Sequence, residues 1–260
     1  MRLALALLAL AAGAAVLWLA AERRRLRRRL DAATGELQRL QTDFGRFAPS
    51  AVVDRIAARG AVDAERREVT VLFADLVGFT ALGERLPPEE LVAILNAYFG
   101  RMSRVLEDHR GHVAKFIGDG LMALFGAIEP NPWQANDAAH AALAMQGALA
   151  DYNAELATRG GPTLRAGIGL HAGTAVAGIL GSQALLEFTV IGGTVNLASR
   201  VERLTRTHDV PILATDAVRA QLDPRFRLDP MPAVAVHGVG EPVATWALRG
   251  FESEPVTGDR

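Results

Sequence analysis

The strongest constraint on this chain lies between His112 and Phe125. Two short runs, His112–Ile117 and Leu121–Phe125, are separated only by Gly118-Asp119-Gly120. Such runs with so brief a glycine-bearing join read as a β-hairpin. Before it, Pro88–Arg110 carries Leu91, Leu95, Tyr98, Met102, Val105 and Leu106 on one helical face, and Glu68–Ala74 reads as a β-branched strand. After it comes an Ala-rich helix, Ala135–Ala157, then strands at Leu164–Leu170, Val176–Leu180 and Glu187–Ile191, a helix at Thr194–Thr207 and a last strand at Val243–Leu248. Strand, helix, hairpin, helix, strand is the order of an α+β ferredoxin-like sandwich, expected over residues 65–250.

The segment before it has a different character. Leu3–Ala21 is an uncharged apolar run of 19 residues, long enough as a helix to cross a bilayer. Six arginines follow between Arg23 and Arg29. Positive charge after the run, rather than before it, favours an anchor over a cleaved signal peptide. The expectation is a single-pass transmembrane helix in residues 1–21, in the cell inner (plasma) membrane. Arg23–Arg29 would lie on anionic headgroups, with the rest of the chain cytoplasmic. Leu26, Leu30, Ala33, Leu37, Leu40, Phe44 and Phe47 then alternate in steps of four and three, the pattern of a short parallel coiled coil within residues 22–47. Residues 48–64 read as a linker helix and 251–260 as a tail.

Composition narrows the chemistry. The chain has no cysteine, which excludes disulfides, thiolate metal sites and thiol catalysis. The net charge of −1 gives no nucleic-acid signal. Only one of the 28 basic residues is a lysine, Lys115, four residues before Asp119. Three places carry chemistry. In Val71–Thr80 an apolar strand ends at Asp75, and a turn then exposes the amides of Gly78, Phe79 and Thr80, a setting suited to Mg²⁺ and phosphate. In Lys115–Gly120, Asp119 sits at the hairpin tip. If the hairpin lies beside the first strand, Asp75 and Asp119 converge as a two-metal pair for phosphoryl chemistry. In Glu187–Glu202, Asn196 and Arg200 are four apart on one helix face, an amide beside a guanidinium. Taken singly, each also reads as a turn residue or a solvated face.

Together these strings resemble the catalytic domain of class III nucleotidyl cyclases. The resemblance implies a head-to-tail homodimer whose active sites are shared between subunits. Asp75 and Asp119 match the metal-binding aspartates, with the carbonyl of Leu76 as a further ligand, for two Mg²⁺ or Mn²⁺ ions per site. Gly78, Phe79 and Thr80 match the loop that binds the β- and γ-phosphates. From the other subunit, Lys115 matches the residue that reads the purine, and Thr189 holds its partner's position. Asn196 matches the ribose-orienting residue and Arg200 the transition-state arginine. An ammonium donates to adenine N1 and a hydroxyl accepts from its amino group, whereas guanine presents the reverse pattern. Lys115 therefore favours ATP as substrate and 3′,5′-cyclic AMP as product. Thr189 is similar to a subgroup often stimulated by bicarbonate.

The chain departs from the family where Gly193 stands in place of the usual aspartate before Thr-Val-Asn. If that aspartate caps the helix, glycine is a fair substitute. Two other readings keep the fold: a non-catalytic nucleotide-sensing or dimerisation module, and a guanylate cyclase. His109 and His112 read as loop or surface residues, His171 as structural, and Trp133 and Trp246 as packing residues.

Overall fold

The computed structural model describes residues 23, 25, 27, 64–182, 185–235 and 242–252. The chain divides into two compact units, Met1–Ala58 and Arg59–Arg260. Of the first unit only Arg23, Arg25 and Arg27 are described, all helical and exposed. The expected membrane span and coiled coil lie outside the described residues. Among the described residues no helix is long and apolar enough to cross a membrane.

The second unit opens with β1 (Glu65–Leu76), followed by a short helix α1 (Phe79–Gly83) and α2 (Pro88–Asp108). The hairpin is β2 (His112–Ile117) and β3 (Gly120–Phe125); then come α3 (Gln134–Ala157), β4 (Ala166–Ser182), β5 (Leu185–Ile191) and α4 (Gly193–His208). The chain continues through β6 (Ile212–Thr215), α5 (Asp216–Arg219), β7 (Phe226–Val234) and β8 (Val243–Phe251).

The strands join in the order β2-β3-β1-β4-β6-β8-β7, with β5 paired to β4 off this path. The first four form the ferredoxin-like order expected from the sequence, and β6, β8 and β7 extend it. β1 is central and reads as a near-continuous apolar run because both of its faces are covered. Leu72, Ala74 and Leu76 face a core shared with α2 and α3. α2 supplies Ile94, Tyr98, Met102 and Leu106 at intervals of four. α3 supplies Ala135, Ala138, Ala139 and Ala142, whose small side chains let that helix lie close to the sheet. Pro88 starts α2, where its missing N–H costs nothing, and Glu89 and Glu90 complement the helix dipole.

The other face belongs to α4 and β5. Gly167 and Gly169 alternate with the core residues Ala166, Ile168 and Leu170, so they present bare backbone on this side. A Cβ on Gly169 would lie 2.2 Å from the backbone nitrogen of Glu202, and one on Gly167 2.2 Å from Thr205 Oγ1. α4 therefore rests on β4 at the closest distance a sheet allows. It then feeds β6, which pairs in parallel with β4 at Ile168↔Ile212.

One expectation is corrected. β4 is a single 17-residue strand, not two. Its pairing with β1 runs unbroken through Val71↔His171, Thr70↔Ala172 and Val69↔Gly173, so the small residues there do not interrupt it. Beyond β1 it continues as an arm paired with β5, from Val176↔Ile191 to Ser182↔Leu185.

Gly169→Ala is expected to lower stability by about 1–3 kcal/mol through overpacking against α4, read as a lower urea midpoint. Gly147→Ala, inside α3 with open space around it, is expected to raise it by about 0.5–1 kcal/mol.

Candidate functional site

β1 delivers Asp75 to its C-terminal end, opposite Gly167 of β4, on the sheet face that carries α4. Leu76, next along, buries its side chain in the core, so only its main chain could serve as a ligand. The chain then turns: the Val77 N–H donates to the Arg165 carbonyl at 2.8 Å, and Gly78 takes a left-handed φ of 74°. Phe79 and Thr80 begin α1; Phe79 packs at the core margin, and Gly78 and Thr80 are exposed.

The hairpin closes on Asp75. Gly118, at φ 61°, makes the turn, and Asp119 stands beside it, half-buried. A Cβ on Gly120 would lie 2.7 Å from Asp75 Oδ1 and 2.9 Å from the Ala74 carbonyl. Only glycine lets the tip come this near. Burial, then the charge of Asp75, raise the Asp119 pKa above the usual carboxylate range. Burial, followed by the charges of Asp75, Asp119 and Glu202, also holds the Tyr98 hydroxyl neutral, above the usual phenol range. The end of β1 is thus a concentration of negative charge.

One cation answers it, and a second sits on the hairpin strand β2. Arg206, in the last turn of α4, donates from one nitrogen to Asp75 Oδ2, and its other terminal nitrogen lies 3.0 Å from Glu202 Oε1. Glu202 is buried, and burial pushes its pKa up to about 7 against the pull of Arg206. Lys115, on β2, lies 2.9 Å from Glu187 of the β5 arm. Thr189 is buried two residues along β5, on the same side of that strand as Glu187. Phe188 meets the His112 ring edge-on, with centroids 6.2 Å apart, where the arm meets β2.

The residues fit a divalent cation. Two carboxylates and a main-chain carbonyl are hard oxygen donors of the kind Mg²⁺ and Mn²⁺ take. Among the described residues no three His, Cys, Asp or Glu side chains gather at one point. Such a sparse set suits an ion that keeps water and phosphate oxygens in its shell.

Asn196 and Arg200 stand apart from this cluster. Their helix starts where the Thr194 hydroxyl donates to the Thr174 carbonyl at 2.6 Å, and ends over Gly167. Asn196 is exposed and Arg200 half-exposed. They precede Arg206 by ten and six residues, about 15 and 9 Å along the axis at a rise of ~1.5 Å per residue. One chain therefore brings together Asp75, Leu76, Asp119 and the 78–80 turn in one place and Lys115 with Thr189 in another. It leaves Asn196 in the first turn of α4 and Arg200 midway along it. Gly193 is the first helical residue and Gly192 the cap, so Gly193 is not the N-cap. Its exposed position has open space around it.

The sequence reading missed Glu187, Glu202 and Arg206. Glu202 and Arg206 are four apart, a spacing that by itself signals only a surface pair. His112 is not a surface residue, because it packs under Phe188. Trp133 is 62% exposed and so is not a packing residue. His171 Nδ1 and the Thr215 hydroxyl are hydrogen-bonded at 2.9 Å, as a structural role requires.

Residues 62–250 match the adenylate and guanylate cyclase catalytic domain family. The chain belongs to the class III nucleotidyl cyclases. An adenylate cyclase of Anabaena cylindrica is 35% identical over 198 residues, covering 73% of this chain and 38% of that protein. Adenylate cyclase 1 of Rhizobium meliloti is 36% identical over 173 residues, covering 66% of this chain and 26% of that protein. The matched region of this chain thus spans about a third of the length of these curated relatives. Among solved structures, the adenylyl cyclase CyaB of P. aeruginosa superposes with a TM-score of 0.69 at 27% identity, over 73% of this chain and 97% of that one. The guanylyl cyclase Cya2 gives 0.69 at 34%, over 75% and 97%.

The buried histidines should weaken the cyclase domain in mild acid, in opposition to Glu202, whose pKa of about 7 adds stability over the same range. Burial lowers the pKa of His112 and of His171 to about 4 from an ordinary 6.5. The stability each contributes as a neutral ring is fully present above pH 6.5 and is lost as pH falls through about 4. The loss is expected to be on the order of 2 kcal/mol in all, since both rings are partly exposed. Urea midpoints at pH 7 and pH 4.5, compared between the wild type and His112→Phe with His171→Gln, measure it.

Proposed function

We propose that this chain is an adenylate cyclase that converts ATP to 3′,5′-cyclic AMP and pyrophosphate, with each active site built from two copies. The observation that carries the reading is the closure of the β2–β3 hairpin on Asp75 through Gly120, which sets two carboxylates at one strand end.

In this reading Asp75, Asp119 and the Leu76 carbonyl hold Mg²⁺ or Mn²⁺. When bound, the cation supplies charge that acidifies the ribose 3′-hydroxyl and neutralises the departing pyrophosphate. The main-chain amides of Gly78, Phe79 and Thr80 bind the β- and γ-phosphates. Lys115 of the other copy donates to adenine N1, and that copy's Thr189 accepts from the 6-amino group. From the other copy, Asn196 fixes the ribose for attack and Arg200 neutralises charge growing on the α-phosphoryl oxygens. The 3′-oxygen bonds to the α-phosphorus as the α–β bridging bond breaks, and the 3′ proton passes to solvent. The separation of Asn196, in the first turn of α4, from the contact between Arg206 and Asp75 supports the part given to a second copy.

The contact between Lys115 and Glu187 favours one second reading. A carboxylate beside the base reader can accept from guanine N1–H, so GTP belongs in every assay. Leu3–Ala21 and Arg23–Arg29 support the further proposal of an inner-membrane anchor with the domain cytoplasmic, and Thr189 that of bicarbonate stimulation. Both rest on the sequence.

Cyclic AMP formation from ATP in Mg²⁺ or Mn²⁺, with little product from GTP, is the expected result. Asp75→Ala or Asp119→Ala should lower turnover by a factor of about 10² or more without unfolding the chain, and Arg200→Ala should act mainly on kcat. Mixed Asp75→Ala and Arg200→Ala proteins should recover about a quarter of wild-type activity, because half of randomly paired dimers carry one intact site of two. No recovery with proven mixed dimers would overturn the shared site, and cyclic GMP as main product would overturn the base assignment.

A further inference from the structure

Arg206 has no role in the mechanism above, yet it makes the most direct contact with Asp75. Its guanidinium forks, with one nitrogen on Asp75 Oδ2 and the other 3.0 Å from Glu202 Oε1. Glu202 is fixed: it is buried, lies over Gly167 and is one helical turn from Arg206. Asp75 Oδ1 faces the hairpin at Gly120, so one carboxylate oxygen points toward Asp119 while the other is held by Arg206. On its far side Arg206 borders a cavity of about 390 Å³ between α3, the start of β4 and the end of α4. The side chain has both an alternative partner and room to move.

We propose that Arg206 is a positioning residue that competes with the divalent cation for Asp75, holding the carboxylate when no metal is bound and withdrawing onto Glu202 when one arrives. The inference rests on the reading of Asp75 as a metal ligand. The physical case is one of charge count. Asp75, Asp119 and Glu202 crowd one strand end, and without a cation their mutual repulsion opposes the closed hairpin. A guanidinium can neutralise two carboxylates at once because its donors form a rigid fork. A divalent ion that takes over Asp75 leaves Arg206 its second partner, so the exchange strands no buried charge. Arg206 thereby raises the metal concentration at which the site fills.

The test is binding of Mn²⁺ alone to the metal-free full chain at pH 8, with free Mn²⁺ followed by electron paramagnetic resonance and no nucleotide present. Arg206→Gln is expected to tighten Mn²⁺ by about two- to five-fold, the scale of a half-exposed ion pair. Arg206→Lys keeps the charge and loses the fork, so it too should tighten binding, by less. Glu202→Gln leaves Arg206 a single strong partner and should weaken Mn²⁺ by a similar factor. These opposite signs support the proposal. Unchanged or weaker binding in Arg206→Gln overturns it, as does a shift of the Arg206→Gln and Glu202→Gln variants in the same direction, which would mark a merely structural pair. An unchanged affinity in Arg206→Lys overturns the competing contact in favour of a diffuse charge effect. Asp75→Asn serves as the separate control. If it binds Mn²⁺ as wild type does, the metal-ligand reading of Asp75 fails, whatever the Arg206 variants do.

Discussion

The close approach of α4 to β4 over Gly167 and Gly169 is the constraint on which the site depends. Any side chain at Gly169 would drive into the backbone of Glu202. Because the glycines remove that obstacle, the last turns of α4 reach the end of β4 where Asp75 pairs with Gly167. Glu202 and Arg206 then enter the same space as Asp75. The hairpin makes the matching approach from the other side, where Gly120 leaves room for the Asp75 carboxylate. Bare backbone on the two strands that flank β1 thus sets Asp75 between the hairpin that carries Asp119 and the helix that carries Glu202 and Arg206.

That concentration of charge has a cost that the surroundings meet in different ways. Glu202 is buried and held by Arg206 one turn away. Asp119 is half-buried, and burial followed by the charge of Asp75 raises its pKa against the pull of Arg206. Asp75 has Arg206 on one oxygen and the glycine-lined hairpin on the other. An incoming cation therefore meets a site already balanced by an internal one. Affinity for it is set by the difference between two pairings rather than by the carboxylates alone. Lys115 and Glu187 repeat the pairing on the β5 arm, a cation held by a carboxylate of its own chain.

Much of this was legible in the sequence, for reasons that particular residues make plain. The hairpin at Gly118–Gly120, the apolar run of β1 and the spacing of α2 report local structure, and local structure sufficed to order the first four strands. Convergence of Asp75 with Asp119 followed once β3 lay beside β1. The continuity of β4 was not legible, because His171, Ala172 and Gly173 look like a break until β1 is known to pair straight across them. Nor was the importance of Arg206. Which face of α4 meets the sheet is decided by glycines some 35 residues earlier in the chain, and an i, i+4 acid–base pair carries no mark of what lies opposite it. Glu187 was hidden for the same reason, since only the return of the β5 arm brings it to Lys115.

The layout of α4 supports the proposal of a second copy. The helix lies along β4 from Gly173, where Thr194 is seated, to Gly167, where Thr205 is seated. Its C-terminal end is committed to its own Asp75. Asn196, in its first turn, and Arg200, midway along it, are outward-facing polar groups with no metal carboxylate of their own chain nearby. Asn196 stands about 15 Å along the helix axis from the Arg206 that holds Asp75, and Arg200 about 9 Å. A symmetric pair answers the deficit at both ends at once, because the surface that lends Asn196 and Arg200 also receives them. The exposed apolar side chains Phe116, Ile117, Val176 and Ile191 lie on the same hairpin and arm. Their burial would supply the driving force for pairing that the polar site itself lacks.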